Sequence, residues 1–240
     1  MNQRPHPIES AKQFIKKQFP NCTGALLSGS VVRGEETATS DLDIVIFDEG
    51  YKSSYRESLV DQGWPIEVFV HNLSSYKEFF KSDVDRGRPS LPRMVAEGII
   101  VKEHPFIFAV KKEAEQLLAK GPEEWSKKTI EVKRYFLTDT LDDFLGSSKR
   151  EEDLFVASVL AELLIEFYLR TNQQWTGQSK WTIRALRQYD EKFADRIVEA
   201  FDTFYKVGDK KQVIAIADSV LEKYGGRLFA GFSVGKAKAL

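Results

Sequence analysis

Apolar side chains along the first half of the chain follow two different rhythms. At Ile8, Ala11, Phe14, Ile15 and Phe19 they recur with the spacing of a helix that buries one stripe, and Pro20-Asn21 ends it. Short apolar runs then predict strands over 24–29, 42–48 and 64–71, with GIIV at 98–101 as an edge strand. A short helix is expected near 31–36, while 55–60 fits a helical or a strand segment equally. Asn72 to Asp85 reads as a helix capped by Asn72, with Tyr76, Phe79 and Phe80 on one face. Arg86 to Arg93, with three arginines and two prolines, reads as a loop, and Pro105 to Leu118 as a helix.

Beyond Gly121-Pro122 the rhythm changes for good. Glu123–Leu145, Glu151–Thr171, Ser179–Tyr189, Glu191–Tyr205 and Lys210–Tyr224 all carry 3.6-residue periodicity, and no strand signal interrupts them. The tail from Gly225 is weakly patterned and is expected to fray. The fold class expected is therefore α+β: a mixed sheet flanked by helices, followed by a helical bundle. Glycine closing one helix and proline opening the next set the domain boundary, giving 1–120 and 121–240.

Composition narrows the class. With 42% hydrophobic and 30% charged residues the chain has the balance of an ordinary globular protein. Thirty-five basic against 36 acidic residues leave no excess to displace counterions from a polyanion, so a nucleic-acid partner is not expected. Cys22 is the only cysteine, which rules out an intrachain disulfide and a thiolate metal site and suits a cytoplasmic protein. The most apolar helix, Leu154 to Leu169, is too short to span a bilayer and carries Glu162 and Glu166, so no membrane partner is expected. His6, His71 and His104 are scattered and suggest no zinc site, and His71 at the end of its strand is expected at the surface.

The chemistry concentrates in SGSVVRGEETATSDLDIVIF, residues 28–47. Side chains alternate along a strand, so Asp41 and Asp43 share a face while Leu42 and Ile44 turn to the core. Two neighbouring carboxylates repel unless a cation neutralises them, and hard oxygen ligands at this spacing suit Mg²⁺ bridging substrate phosphates. Gly29-Ser30 lets backbone and hydroxyl approach an anion. Glu67, on the strand PIEVFV, adds a third carboxylate, either completing a two-metal site or acting as general base.

Gly29-Ser30-Val-Val-Arg33-Gly34, then Ser40-Asp41-Leu-Asp43, then Glu67-Val-Phe-Val resembles the polymerase-β-type nucleotidyltransferase superfamily, and within it the aminoglycoside adenylyltransferase branch. The resemblance implies an N-terminal nucleotidyltransferase domain that binds a nucleoside triphosphate, with ATP the expected donor. Two Mg²⁺ ions are implied on Asp41, Asp43 and Glu67, with Gly29, Ser30, Ser40 and Arg33 around the phosphates. The implied reaction moves AMP onto a hydroxyl of a small-molecule acceptor, such as an aminoglycoside-like antibiotic, and releases pyrophosphate. AMP transfer to a protein, as in toxin–antitoxin pairs, and a non-catalytic nucleotide-binding protein are the alternatives.

In that branch the helical domain contributes a lysine to the phosphates and an aromatic residue near the nucleotide, which implies Lys180 and Tyr205 here. Lys180 opens a helix, against the dipole preference, which favours a task there. Glu131 is the nearest positional analogue of an acceptor-activating carboxylate. Glu162 and Glu166, one helical turn apart in an apolar stretch, suit a cationic acceptor or a pairing with Arg184 or Arg187. The arginines of 86–93 fit a solvated connector or a lid near the triphosphate.

Overall fold

The computed structural model describes residues 4–236, and the chain divides into two compact units between Gly121 and Pro122. The first unit is built on a five-stranded mixed sheet. Strands β1 (Gly24–Ser28), β2 (Leu42–Phe47), β3 (Tyr55–Asp61), β4 (Trp64–His71) and β5 (Ile99–Lys102) lie in the order β3-β4-β2-β1-β5. β2 and β4 run parallel, and every other neighbouring pair is antiparallel. Helices α1 (Pro7–Gln18), α2 (Tyr76–Asp85), α3 (Ser90–Glu97) and α4 (Pro105–Lys120) accompany the sheet.

The alternation of the strands sorts two cores. Ala25, Leu27, Leu42, Ile44, Ile46, Ile66, Val68 and Val70 share one face and pack with Ala11, Phe14 and Ile15 of α1. On the other face Leu26, Val45 and Phe47 pack with Tyr76 and Phe80 of α2, Leu91 and Val95 of α3, and Ile107, Val110 and Ala114 of α4. Ser28, Asp43 and Glu67 have the parity of this second face, and neither core includes them. A strand with both faces covered reads as a near-continuous apolar run, which is why β2 shows IVIF after its acidic start.

Several local expectations change. Residues 31–34 form consecutive turns and no helix: Val32 and Arg33 N–H donate to the Gly29 and Ser30 carbonyls at 3.3 and 3.1 Å, and Gly34 leaves with a φ of +68°. The undecided segment is strand β3, joined to β4 by Gln62-Gly63, both at positive φ as a type I′ hairpin turn requires. Asn72 caps a turn, its Oδ1 accepting from Ser74 and Ser75 N–H, so α2 begins at Tyr76. Half of the arginine-bearing loop is α3, since Pro92 in a helix's first turn removes no intrahelical bond.

His71 is buried, not at the surface. Its Nδ1 lies 2.9 Å from the Ser54 hydroxyl, its ring meets Phe79 edge-on, and burial draws its pKa down to about 4. The unfolded chain, with an ordinary histidine, binds this proton first, so the folded state loses stability as pH falls from about 6.5 towards 4. Relative to His71→Gln, the natural protein should lose about 3 kcal/mol across that window. Urea midpoints of both proteins from pH 7 to 4 check this, and because the difference is between two proteins, other titrating groups cancel.

The second unit is helical: α5 (Lys127–Gly146), α6 (Arg150–Thr171), α7 (Lys180–Tyr189), α8 (Glu191–Val207) and α9 (Lys211–Glu222). Leu137, Leu141 and Phe144 of α5, Leu160, Leu164 and Phe167 of α6, Phe201 and Phe204 of α8, and Val213 and Leu221 of α9 form its core. α5 starts four residues later than its apolar pattern suggests, because Ser126 caps it by accepting from Thr129 N–H. Preceding it, the Glu123 carbonyl accepts from the buried Arg170 guanidinium, which lies over the Trp125 ring. The segment from Gly225 to Phe232 is tied down where fraying was expected, and 237–240 lie outside the described residues. Arg134 donates to the Gly225 and Gly226 carbonyls, Arg227 pairs with Asp218 and Asp142, and Phe232 stacks on Tyr135. No described helix is long and apolar enough to cross a membrane.

Candidate active site

Strand register brings the acidic residues together. Ser28 of β1 pairs with Asp43 of β2, Asp43 with Glu67 of β4, and Glu67 with Ser58 of β3, a polar row across four strands. Asp41 stands two residues before Asp43, just ahead of β2, and completes the group. Asp41, Asp43 and Glu67 are each half-buried and offer ligand oxygens within 4.8 Å of one another. Three carboxylates this close, partly removed from water, disfavour full ionisation. Burial first, then Asp41, then Glu67, push the Asp43 pKa up to about 6, against the pull of Arg56 and Arg33.

The turn after β1 lies directly on this group. Gly29 has a φ of +85°, and a Cβ built there would stand 2.2 Å from Asp43 Oδ2. Glycine is thus required twice, by the backbone and by the carboxylate. Ser30 and Ser40 face each other at 3.0 Å between hydroxyls, and the Ser40 hydroxyl also accepts from Thr37 N–H at 2.8 Å. Ser40 is buried, so it braces the loop of 37–40 against the turn that holds Ser30.

Cations surround the carboxylates. Arg56 donates to Glu67 and lies 4.9 Å over the Phe69 ring, and Ser58 donates to the other Glu67 oxygen at 3.4 Å. Arg56 and Ser58 share a strand face, so the diagonal neighbour of Glu67 is a guanidinium. Arg33 pairs with Glu35 and with Glu97 at the end of α3, both at 3.2 Å. Arg93 of α3 stands near the same Glu97 and Arg33, its pKa lowered by burial and held up by Glu97. The Ser28 hydroxyl donates to the Met94 carbonyl, and Lys111 donates to the carbonyls of Val95, Ala96 and Gly98, which fastens the α3 end beside β1.

Of the residues singled out in the sequence, Gly29, Ser30, Ser40, Asp41, Asp43 and Glu67 are thus gathered on one side of the central strands, with Arg33 beside them. Lys180 and Tyr205 belong to the second unit: Lys180 opens α7 and is exposed, while Tyr205 on α8 is 41% exposed and partial burial raises its hydroxyl pKa. Glu131 and Glu162 are exposed. Glu166 pairs with Lys133 at 2.7 Å, and Arg187 binds Asp195. Of the lid-or-connector arginines, Arg86 pairs with Asp83. Arg56 and Glu97 escaped sequence reasoning, whereas Arg93 belongs to the arginine-bearing segment that the sequence singled out. The signal for Arg56 was its even spacing from Ser58 on a strand that faces Glu67 across a hairpin, whose Gln-Gly turn is an uncommon I′ pair.

Comparison with known families matches residues 8–132 to the family described as nucleotidyltransferase domain, a stretch covering the sheet, α1 to α4 and the start of α5. Among solved structures, the chain is similar to a nucleotidyltransferase-like protein from Exiguobacterium sibiricum 255-15, at 10% identity and a TM-score of 0.48, over 90% of this chain and 73% of that one. No curated protein matches it.

Proposed function

The chain belongs to the nucleotidyltransferase domain family, and on that premise we propose that it transfers AMP from ATP to a hydroxyl of a small molecule, aminoglycoside-like in its chemistry, with release of pyrophosphate. The observation that carries this reading is the convergence of Asp41, Asp43 and Glu67 beside the Gly29-Ser30 turn. Phosphoryl chemistry asks little covalent work of a protein and much positioning and charge compensation. The residues fit a divalent ion, since three hard oxygen donors are close enough to share one centre and Asp43 is destabilised as an anion without a partner.

Magnesium held by Asp41, Asp43 and Glu67 would supply charge neutralisation for the phosphates and for the departing pyrophosphate. The remaining tasks fall to the chain itself. Gly29 allows the backbone to approach the phosphates, with the Ser30 hydroxyl as donor, and Ser40 keeps that hydroxyl in place. Arg33 compensates charge that builds on the leaving group. A carboxylate of the acidic group takes the proton of the attacking hydroxyl, and the α-phosphorus–oxygen bond to pyrophosphate breaks as the new one forms. Arg56 holds Glu67 from the neighbouring strand and so fixes its direction.

Pyrophosphate release from ATP and from GTP, with magnesium and with or without pooled aminoglycosides, tests this. ATP-dependent release stimulated by an added hydroxyl compound is the expected outcome. Radiolabel from [α-³²P]ATP appearing on protein instead would replace the small-molecule acceptor by a protein. Absence of release with every acceptor would overturn the transferase reading.

A further inference from the structure

A second, unrelated concentration of charge lies in the helical unit. The end of α6, the start of α8 and the end of α9 enclose a cavity of about 270 Å³, with Lys192, Arg196 and Lys223 on its lining. Several other cations of this unit are matched by carboxylates: Arg187 with Asp195, Lys206 with Asp202, Lys210 with Asp153, Arg227 with Asp218. Among the described residues, Lys192, Arg196 and Lys223 make no such ion pair. The one carboxylate on the lining is Asp190, and it is committed, accepting from Phe193 N–H at 2.9 Å as the α8 cap and from the Tyr168 hydroxyl at 2.7 Å.

Two of the three cations stand where the helix alone does not favour them. Lys192 stands in the first turn of α8, where the helix dipole disfavours a cation, and Arg196 follows at i+4, where like charges repel. Lys223, at the end of α9, brings a third positive charge to the same cavity. The wall beneath is aromatic, with Tyr168 and Phe193 stacked at 4.0 Å, and Arg196 lies over the Phe193 ring. Three cations on an aromatic-walled cavity whose one carboxylate, Asp190, offsets a single charge leave a net positive lining, the complement of a small anion that carries more than one charge. The volume suits a ligand of about one nucleotide or sugar-phosphate unit.

We propose that this cavity is a binding site for a small phosphate-bearing molecule, with Lys192, Arg196 and Lys223 on the phosphate oxygens and the Tyr168–Phe193 wall against the rest of the ligand. The site stands independently of the transfer reaction, since every residue in it belongs to the second unit.

The test is calorimetric titration of the full chain with inorganic pyrophosphate and with AMP, in EDTA, where the Asp41, Asp43 and Glu67 group repels anions. The natural protein should bind, and Arg196→Glu/Lys223→Glu should bind at least about tenfold more weakly with a melting temperature that holds or rises. The milder Lys223→Gln should fall between the two. Equal affinity in all three proteins, or no binding of either probe by the natural protein, would overturn the site. So would a single-stranded oligonucleotide that binds through these cations while both small probes fail, since the face would then be a polymer surface.

Discussion

Replacing Asp41 or Asp43 by asparagine is expected to lower nucleotidyl transfer by about a thousandfold or more while the melting temperature of the metal-free protein holds or rises. The two effects have one cause. Asparagine keeps the shape of aspartate and removes its charge, so the oxygen set loses its hold on a divalent ion. The same removal relieves repulsion among three half-buried carboxylates. For Asp43 the sign is explicit. Its folded pKa, about 6, lies above the ordinary aspartate value of 3.8, so the fold resists its ionisation and a stability cost enters as pH rises through that interval. Asp43→Asn carries no such cost. In the natural protein protons compete with metal at Asp43, and the affinity for Mn²⁺ should weaken as pH drops below about 6. Pyrophosphate release and a thermal shift with and without Mn²⁺ therefore separate a lost function from a lost fold. A variant that keeps transfer within about tenfold of the natural protein would remove Asp41 and Asp43 from the mechanism.

Much of this site was legible because it rests on local rules. Strand parity alone puts Asp41 and Asp43 on one side and Leu42 and Ile44 on the other, and the switch of rhythm at Pro122 separates a sheet from a bundle. What was not legible depends on pairing between distant segments. That Asp43 faces Glu67 directly follows from the parallel pairing of β2 with β4, which passes over β3 in the chain. Arg56 enters only once β3 is known to be a strand, and its Gln62-Gly63 turn lacks the usual asparagine or aspartate. His71 has the parity of Glu67 and Phe69, but its burial depends on where α2 and Phe79 pack, which no period within β4 encodes. Pro89 and Pro92 suggested a loop where they serve the opening of α3. Glu166 finds Lys133 through the packing of α5 on α6, a relation set by the rotation of two helices rather than by either sequence.

Gly29→Ala should be the most damaging single-methyl change in the chain for activity, with a loss of about a hundredfold and a stability cost of about 1–3 kcal/mol. Two penalties combine at this position. A φ of +85° is unfavourable for any residue with a Cβ, and that Cβ would come within 2.2 Å of Asp43 Oδ2. Asp43 must turn away or the β1 turn must shift, and either movement separates the carboxylate from the Ser30 side of the site. Gly34→Ala supplies the control. It shares the positive φ, at +68°, but a Cβ there meets nothing within 4 Å. It should carry the backbone penalty of about 1 kcal/mol and leave turnover nearly unchanged. Urea midpoints measure the first penalty in both variants and pyrophosphate release the second in Gly29→Ala alone. If the two variants turn over at similar rates, contact between residue 29 and Asp43 does not govern the chemistry, and Gly29 serves the turn only.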